Sequence, residues 1–285
     1  MNDSADTYYT TVINPNESAF RFDIKELWRR RYLLWLFVKR DLTVQYKQTV
    51  LGFAWYFVGP IITMLTYLLV FGKIAGISTD GIPQPVFYLS GICLWEYFST
   101  SLLTSSMSLQ NNTDLFSKVY FPRLISPISS IISKMFRLSL QLLVFIVVYI
   151  MYVFIGYDLR PNVYLLLFPV LLLILQGISL GLGLIISSLS VKYRDLRGFF
   201  GVFVSLWMYA TPIVYPMSQV TNKTLHRIME LNPLTSLFEA FKFGAFGEGE
   251  FSWQGIFYAT ICMILLVVVG IPLFNKKQKS FIDTV

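Results

Sequence analysis

Residues Val163 to Leu189 read VYLLLFPVLLLILQGISLGLGLIISSL and contain no charged side chain. A helix rises about 1.5 Å per residue, so this run can cross the roughly 30 Å of hydrocarbon in a bilayer. Five further stretches share its character: Leu51 to Phe71, Val86 to Leu109, Leu138 to Ile155, Phe199 to Tyr215 and Ile256 to Phe274. Across them the only acidic or basic side chain is Glu96. Backbone polar groups in hydrocarbon must be satisfied within their own segment, so the expectation is an all-α integral membrane protein with six transmembrane helices.

Composition points the same way. Of the 285 residues, 55% are hydrophobic and 14% charged, against about 25% charged in soluble globular chains. The first fifty residues carry no short apolar run ending in a small-residue cleavage site, so the N-terminus is expected to stay on the side where it is made. The 23 Lys and Arg residues cluster in the N-terminal segment, the loops after spans two and four, and the tail. Only Lys73, Arg160, Lys223, Arg227 and Lys242 fall on the opposite side. By the positive-inside rule both termini are cytosolic, and the net charge of +7 is a topology signal that needs no nucleic acid to explain it.

The chain divides into an arm and interfacial helix over residues 1–50, a six-span permease domain over 51–275, and a basic cytosolic tail over 276–285. Met1 to Asp23 are polar and read as a loose arm. From Ile24 to Tyr46 the apolar positions Ile24, Trp28, Trp35, Val38, Leu42 and Tyr46 recur at helical spacing, which predicts an amphipathic helix in the inner interface. Before the last span, Asn232-Pro233 is a helix start, followed by a stripe of Leu234, Leu237, Phe238, Phe241 and Ala245, with Gly244 and Gly247 as stopping points. Leu225, Ile228 and Met229 suggest a shorter helix ahead of it. Five apolar side chains facing water would be costly, so a re-entrant helical hairpin in the outer leaflet is expected. Gly177, Gly181 and Gly183 form a small-residue face that another helix can approach closely.

The residues exclude several chemistries. Cys93 and Cys262 each lie within an apolar span without a second Cys or a His, and His226 stands alone, so neither a metal site nor a catalytic base is expected. A membrane enzyme acting on polyprenyl phosphates should carry clustered acids or a histidine at the interface, and none is visible. No phosphate-binding Gly-rich loop is present, and ion-coupled carriers place several acids at mid-membrane where this chain has only Glu96. The energy for transport must come from elsewhere, most simply from a separate ATPase subunit. Glu96 itself should face a polar interior, pair with another helix, or stay protonated. The run Ser99, Thr100, Ser101, Thr104, Ser105, Ser106 and Ser108 reads equally as close helix packing or as a wet path.

The loop after span two contains Thr113-Asp114-Leu115-Phe116-Ser117-Lys118-Val119-Tyr120-Phe121-Pro122-Arg123, a short helix ending before Pro122 and tipped with Leu115 and Phe116, suited to plugging into a motor domain. With Lys118 to Arg123 followed by Pro127, Tyr193-Arg194-Asp195 after span four, Thr211-Pro212-Ile213-Val214-Tyr215-Pro216 closing span five, and Asn232-Pro233-Leu234 with Glu239, the chain from Leu33 to Phe274 resembles the membrane subunits of type-2 ABC exporters, especially Wzm-like permeases that export O-antigen and related polysaccharides.

That resemblance implies a homodimer in the bacterial inner membrane, two copies of a separate ATPase that holds the ATP and Mg, no cofactor on this chain, and an undecaprenyl-pyrophosphate-linked glycan as cargo. Wall teichoic acid or capsular polysaccharide is the alternative cargo. The expected ATPase contacts are Asp114, Leu115, Phe116, Lys118, Tyr120, Phe121 and Arg123, with Tyr193, Arg194 and Asp195 as a second contact. Arginine and lysine are the natural phosphate partners, which singles out Arg29, Arg30, Lys39, Arg40, Lys134 and Arg137 for the pyrophosphate. Ring faces let sugars slide past without fixed hydrogen bonds, so Tyr56, Tyr67, Tyr88, Trp95, Trp207, Tyr209 and Tyr215, with Glu96, Ser99 and Thr100, are the expected transport path. Asn232, Pro233, Leu237, Phe238 and Phe241 form the expected outer gate.

Overall fold

The computed structural model describes residues 28–47, 50, 52–112, 121–190 and 195–282, and among them every regular element is helical. Helix α1 spans Arg31–Tyr46, α2 Trp55–Tyr67, α3 Gln84–Ser106, α4 Ile125–Ile155, α5 Phe168–Ser190, α6 Leu196–Trp207, α7 Lys223–Glu230, α8 Pro233–Phe246 and α9 Trp253–Ile282. Four stretches are long and apolar enough to cross a membrane: Gly52–Ile74, Ile125–Ile155, Val163–Ser190 and Trp253–Lys277. Most of their apolar side chains stay uncovered, which suits a surrounding hydrocarbon.

Helix α3 is long enough to span but is not among those four, because Glu96 and its serines and threonines lower its hydropathy, and its position lets it carry them. It lies at the centre, enclosed by α2, α4 and α5, with Val86 to Trp95 buried without a break. A helix covered by other helices needs no lipid-facing apolar surface, so it can carry Glu96 and the hydroxyl run. Helix α6 is short; its apolar stretch runs Gly198–Ala210, ending before Pro212, so the predicted run to Tyr215 breaks into a 3-10 turn and loop.

Two boundaries differ from expectation. Helix α4 begins at Ile125 rather than Leu138, so Lys134 and Arg137 lie on a helix and not in a loop. The hydroxyls of Ser129, Ser130 and Ser133 bond back to carbonyls three residues earlier, leaving the helix no exposed polar group that needs a loop there. Helix α8 runs through Gly244 and stops at Gly247, whose φ of 79° is the left-handed turn glycine permits. At Gly244 a Cβ would lie 2.9 Å from the backbone of Leu165, so this glycine serves close approach and not termination.

The small-residue face of α5 finds its partner in α9. A Cβ at Gly181 would lie 2.6 Å from Leu266 C, and one at Gly270 would lie 2.8 Å from Gly181 O. Helix α1 packs on α4 and the segment before it through Phe37 against Phe121 and Ile125, and Val38 is also buried, while Trp28, Tyr32 and Trp35 stay uncovered. The predicted single stripe is therefore divided, with Val38 on the packed side and Trp28 and Trp35 on the uncovered one.

Helix α8 caps one end of the bundle over α3, α5 and α9. Asn232 caps its start by accepting from Leu234 N, and Pro233 opens the first turn as expected. Its last carbonyls, which no helix can satisfy internally, accept from Arg160 N, from both the backbone and side-chain nitrogens of Asn162, and from the Tyr149 hydroxyl.

Candidate functional site

A polar seam runs between α3 and α4. On α3, Glu96, Thr100 and Thr104 recur at four-residue spacing and so share one face; on α4, Ser126, Ser130, Lys134, Arg137 and Gln141 do the same at three and four. The two helices pack together along this length. Thr100 donates to Glu96 O and Thr104 to Thr100 O, so these hydroxyls are satisfied within their own helix. The seam centres on Glu96, whose Oε2 accepts from Arg137 Nη2 and Gln141 Nε2, each at 2.5 Å.

A lone carboxylate at this depth would cost several kcal/mol, and the guanidinium offsets that cost only with good hydrogen-bond geometry around it. Here the offset is incomplete. Arg137 Nε and Gln141 Oε1 are buried with no partner among the described residues. The pair is also not sealed, with side chains 22% exposed for Glu96 and 27% for Arg137. The seam thus keeps unfilled hydrogen-bonding capacity beneath a partly accessible ion pair.

Toward the end of the bundle that carries α1, the seam widens into a cavity of about 300 Å³ between α1, α3 and α4. Arg40, Asp41, Thr104, Asn112, Ser130 and Lys134 line it. Arg40 is held from three sides, by Asp41 at 2.8 Å, by Asn112 Oδ1 at 2.9 Å and by the Phe37 ring at 4.5 Å. Lys134 has no hydrogen-bond or ion-pair partner among the described residues. Two cations face one carboxylate, so the cavity carries a net positive charge and suits an anion.

The structure brings together part of the predicted phosphate set. Arg40 and Lys134 share the cavity, and Arg137 lies one turn deeper, bound to Glu96. Arg29, Arg30 and Lys39 lie along or just before α1 and do not line it. Some of the predicted path residues make ring contacts, in two separate groups: Tyr67 stands edge-on to Tyr88 at 6.1 Å, and Phe98 lies 5.5 Å from Trp95 and 5.4 Å from Trp207. Within one chain Tyr56, Tyr88 and Trp95 are buried, Tyr67, Trp207 and Tyr215 half-buried, and Tyr209 exposed. Ser99 and Thr100 are half-buried beside Glu96.

Of the predicted ATPase contacts, Asp114, Leu115, Phe116, Lys118, Tyr120, Tyr193 and Arg194 lie outside the described residues. Phe121 is buried against Phe37 at 5.4 Å, Arg123 is half-buried and Asp195 is exposed at the start of α6. In the predicted gate, Leu237, Phe238 and Phe241 are buried in the bundle, and Phe241 meets Phe145 and Phe168. Asn232 also ties α8 to the chain after α6, donating to Ala210 O at 3.1 Å and Thr211 Oγ1 at 3.0 Å.

Sequence reasoning missed two features. Gln141 reads as one polar residue in an apolar span, yet it is the second donor to Glu96. Glu239 and Lys242 form a buried ion pair at 3.4 Å on α8, with the ammonium also donating to Pro212 O and lying 3.9 Å over the Phe87 ring. Burial pushes the Glu239 carboxyl up and the Lys242 ammonium down from their ordinary values. Opposite charges three residues apart within the apolar run Leu234 to Phe246 were the available signal.

A profile described as ABC-2 type transporter matches residues 32–246. The chain is 29% identical over 277 residues to the O-antigen export system permease protein RfbA of Myxococcus xanthus, covering 92% of this chain and 98% of that one. A protein of the same name from Klebsiella pneumoniae is 29% identical over 252 residues, covering 88% and 94%. The polysialic acid transport protein KpsM of Escherichia coli is 24% identical over 253 residues, covering 86% and 93%.

Proposed function

The chain belongs to the ABC-2 type transporter family, and from that premise we propose that it is the permease subunit of an ATP-driven exporter of a lipid-linked polysaccharide, O-antigen before other glycans. Two copies would frame the conduit and a separate ATPase would power it. In this reading α2, α3, α4, α5, α6 and α9 are the six spans of a permease domain over residues 51–275. Helix α1 lies in the inner interface, α7 and α8 form the outer re-entrant hairpin, and both termini are cytosolic in the bacterial inner membrane. This chain binds no cofactor; ATP and Mg belong to the partner.

The observation that carries the proposal is the seam between α3 and α4, which joins a cationic cavity at the basic end to the Glu96–Arg137–Gln141 cluster within an otherwise apolar bundle. A lipid-linked glycan has an anionic pyrophosphate beside an apolar tail, and a polar groove opening sideways from a helix pair admits the first while lipid keeps the second. Arg40 and Lys134 would hold the pyrophosphate. Replacing both with Gln is expected to lower surface glycan per permease by about tenfold, the loss of one strong charge-assisted hydrogen bond. Quantitative surface staining normalised to immunoblotted permease measures it, and unchanged surface glycan would remove the head-group role.

Capsular polysaccharide is the second reading, favoured by the KpsM similarity at lower identity. Deleting the gene and identifying which glycan accumulates inside the cell separates the two. For the motor contact, Leu115→Asp with Phe116→Asp is expected to abolish co-purification of the ATPase while membrane insertion persists. Retained ATPase in the pull-down would move docking to the Tyr193 to Asp195 segment.

A further inference from the structure

Between α7, α8 and the first turns of α9 lies an open cleft of about 500 Å³. Its walls include Arg227, Glu230, Thr235, Glu250, Gln254 and Tyr258. They combine a guanidinium, carboxylates, an amide, hydroxyls and a ring, and that mixture narrows what the cleft can take. No three of the His, Cys, Asp and Glu residues among those described come together in a way that could hold a metal ion, and Arg227 adds a cation to the same wall. An apolar ligand would strip water from carboxylates and leave nothing in its place.

Two observations point to a hydroxylated ligand. Thr235 is only 4% exposed, and its hydroxyl has no partner among the described residues. Tyr258 donates its hydroxyl to Leu231 O at 2.9 Å, which holds the ring as a fixed, half-uncovered platform. Carboxylates accept from neighbouring hydroxyls, an amide both donates and accepts, and an aromatic face covers the C–H side of a sugar ring. The floor is already settled. Glu239 is paired with Lys242, and Lys242 also donates to Pro212 O, so that ion pair braces the cleft and leaves Glu250 and Gln254 to the ligand, while Glu230 also faces His226 Nδ1 at 3.5 Å.

We propose that this cleft is a saccharide-binding subsite that holds sugar units of the exported glycan at the outer mouth of the permease; this rests on the polysaccharide-export reading. The amphipathic α7 forms one wall, and its Leu225 and Ile228, which do not line the cleft, are exposed.

The test uses the full chain in cells making their native glycan. A photo-reactive benzoylphenylalanine replaces Gln254, and in a separate strain Thr100 in the seam; after irradiation the purified permease is stained for carbohydrate. Cross-linked glycan is expected at both positions, absent when glycan synthesis is switched off. Adding Glu250→Gln should reduce the yield at position 254 by about tenfold and leave that at position 100 unchanged. Labelling at 100 without labelling at 254 would overturn the cleft and leave the export reading standing. Labelling at neither would overturn both, and a yield at 254 indifferent to Glu250→Gln would remove the cleft as the recognising element. Should the Gln254 variant fail to accumulate, Ser252, exposed on the same cleft, takes the probe.

Discussion

Arg137→Met is expected to remove most of the folded protein from the membrane, because it leaves Glu96 as a half-buried carboxylate without a counter-charge on the central helix. Breaking one partner of a buried pair costs about 3 to 5 kcal/mol, and the partial exposure of these side chains places the expected loss near the lower figure, about 3 kcal/mol. Gln141 would still donate to Glu96, but a neutral amide cannot replace the guanidinium. Glu96→Leu should be comparably damaging, since it strands Arg137 with its Nε already unpartnered. The double variant Glu96→Leu with Arg137→Met should regain most of the stability, because no uncompensated charge remains. Thermal unfolding of the detergent-purified protein reads this out. Equal instability in the double variant would show that volume, not charge, holds the seam together. Export provides the second readout: the double variant should fold and still fail to export, since the polar seam would be gone.

The second large effect is expected where α5 crosses α9. Gly181→Ala places a methyl 2.6 Å from Leu266 C, and backbone cannot turn aside, so the two helices must separate. Forcing a methyl into a contact this tight should cost about 3 kcal/mol. Gly183→Ala makes a useful contrast. Its new methyl meets the Ser105 hydroxyl, which can rotate away, and Ser105 Cβ at 2.8 Å, which cannot, so the cost should be smaller, about 2 kcal/mol. Ser105→Gly should recover part of the Gly183→Ala loss and none of the Gly181→Ala loss. Folded yield by size-exclusion chromatography and melting temperature measure both. If Ser105→Gly rescued the two variants alike, helix separation at Leu266 would not be the cause.

What the sequence determined by itself is local in origin. Apolar runs of spanning length, the Asn232-Pro233 start and the stop at Gly247 depend on the nature of neighbouring residues and on backbone geometry within a few positions; the start, the stop and four of the six runs are found, whereas the runs in α3 and α6 are not among the spanning stretches. The small-residue face of α5 was equally legible as a surface for close approach. Its partner was not, because any helix offers a backbone, and only the packed bundle selects α9 and its Leu266.

Only the tertiary structure decided the chemistry of the seam. Glu96 and Arg137 are 41 residues apart, and Arg40 and Asn112 are 72 apart, so no local pattern announces either pairing. Nor could periodicity place α3 at the centre: its serines and threonines lower its hydropathy while they allow close packing, and burial by neighbouring helices is what lets a helix carry them. Lys134 and Arg137 looked like loop charges because charge near an apolar run usually marks its end. On α4 they continue the helix instead, since Glu96 across the helix pair neutralises Arg137 and the cavity beside α1 gives Lys134 a polar surface to face.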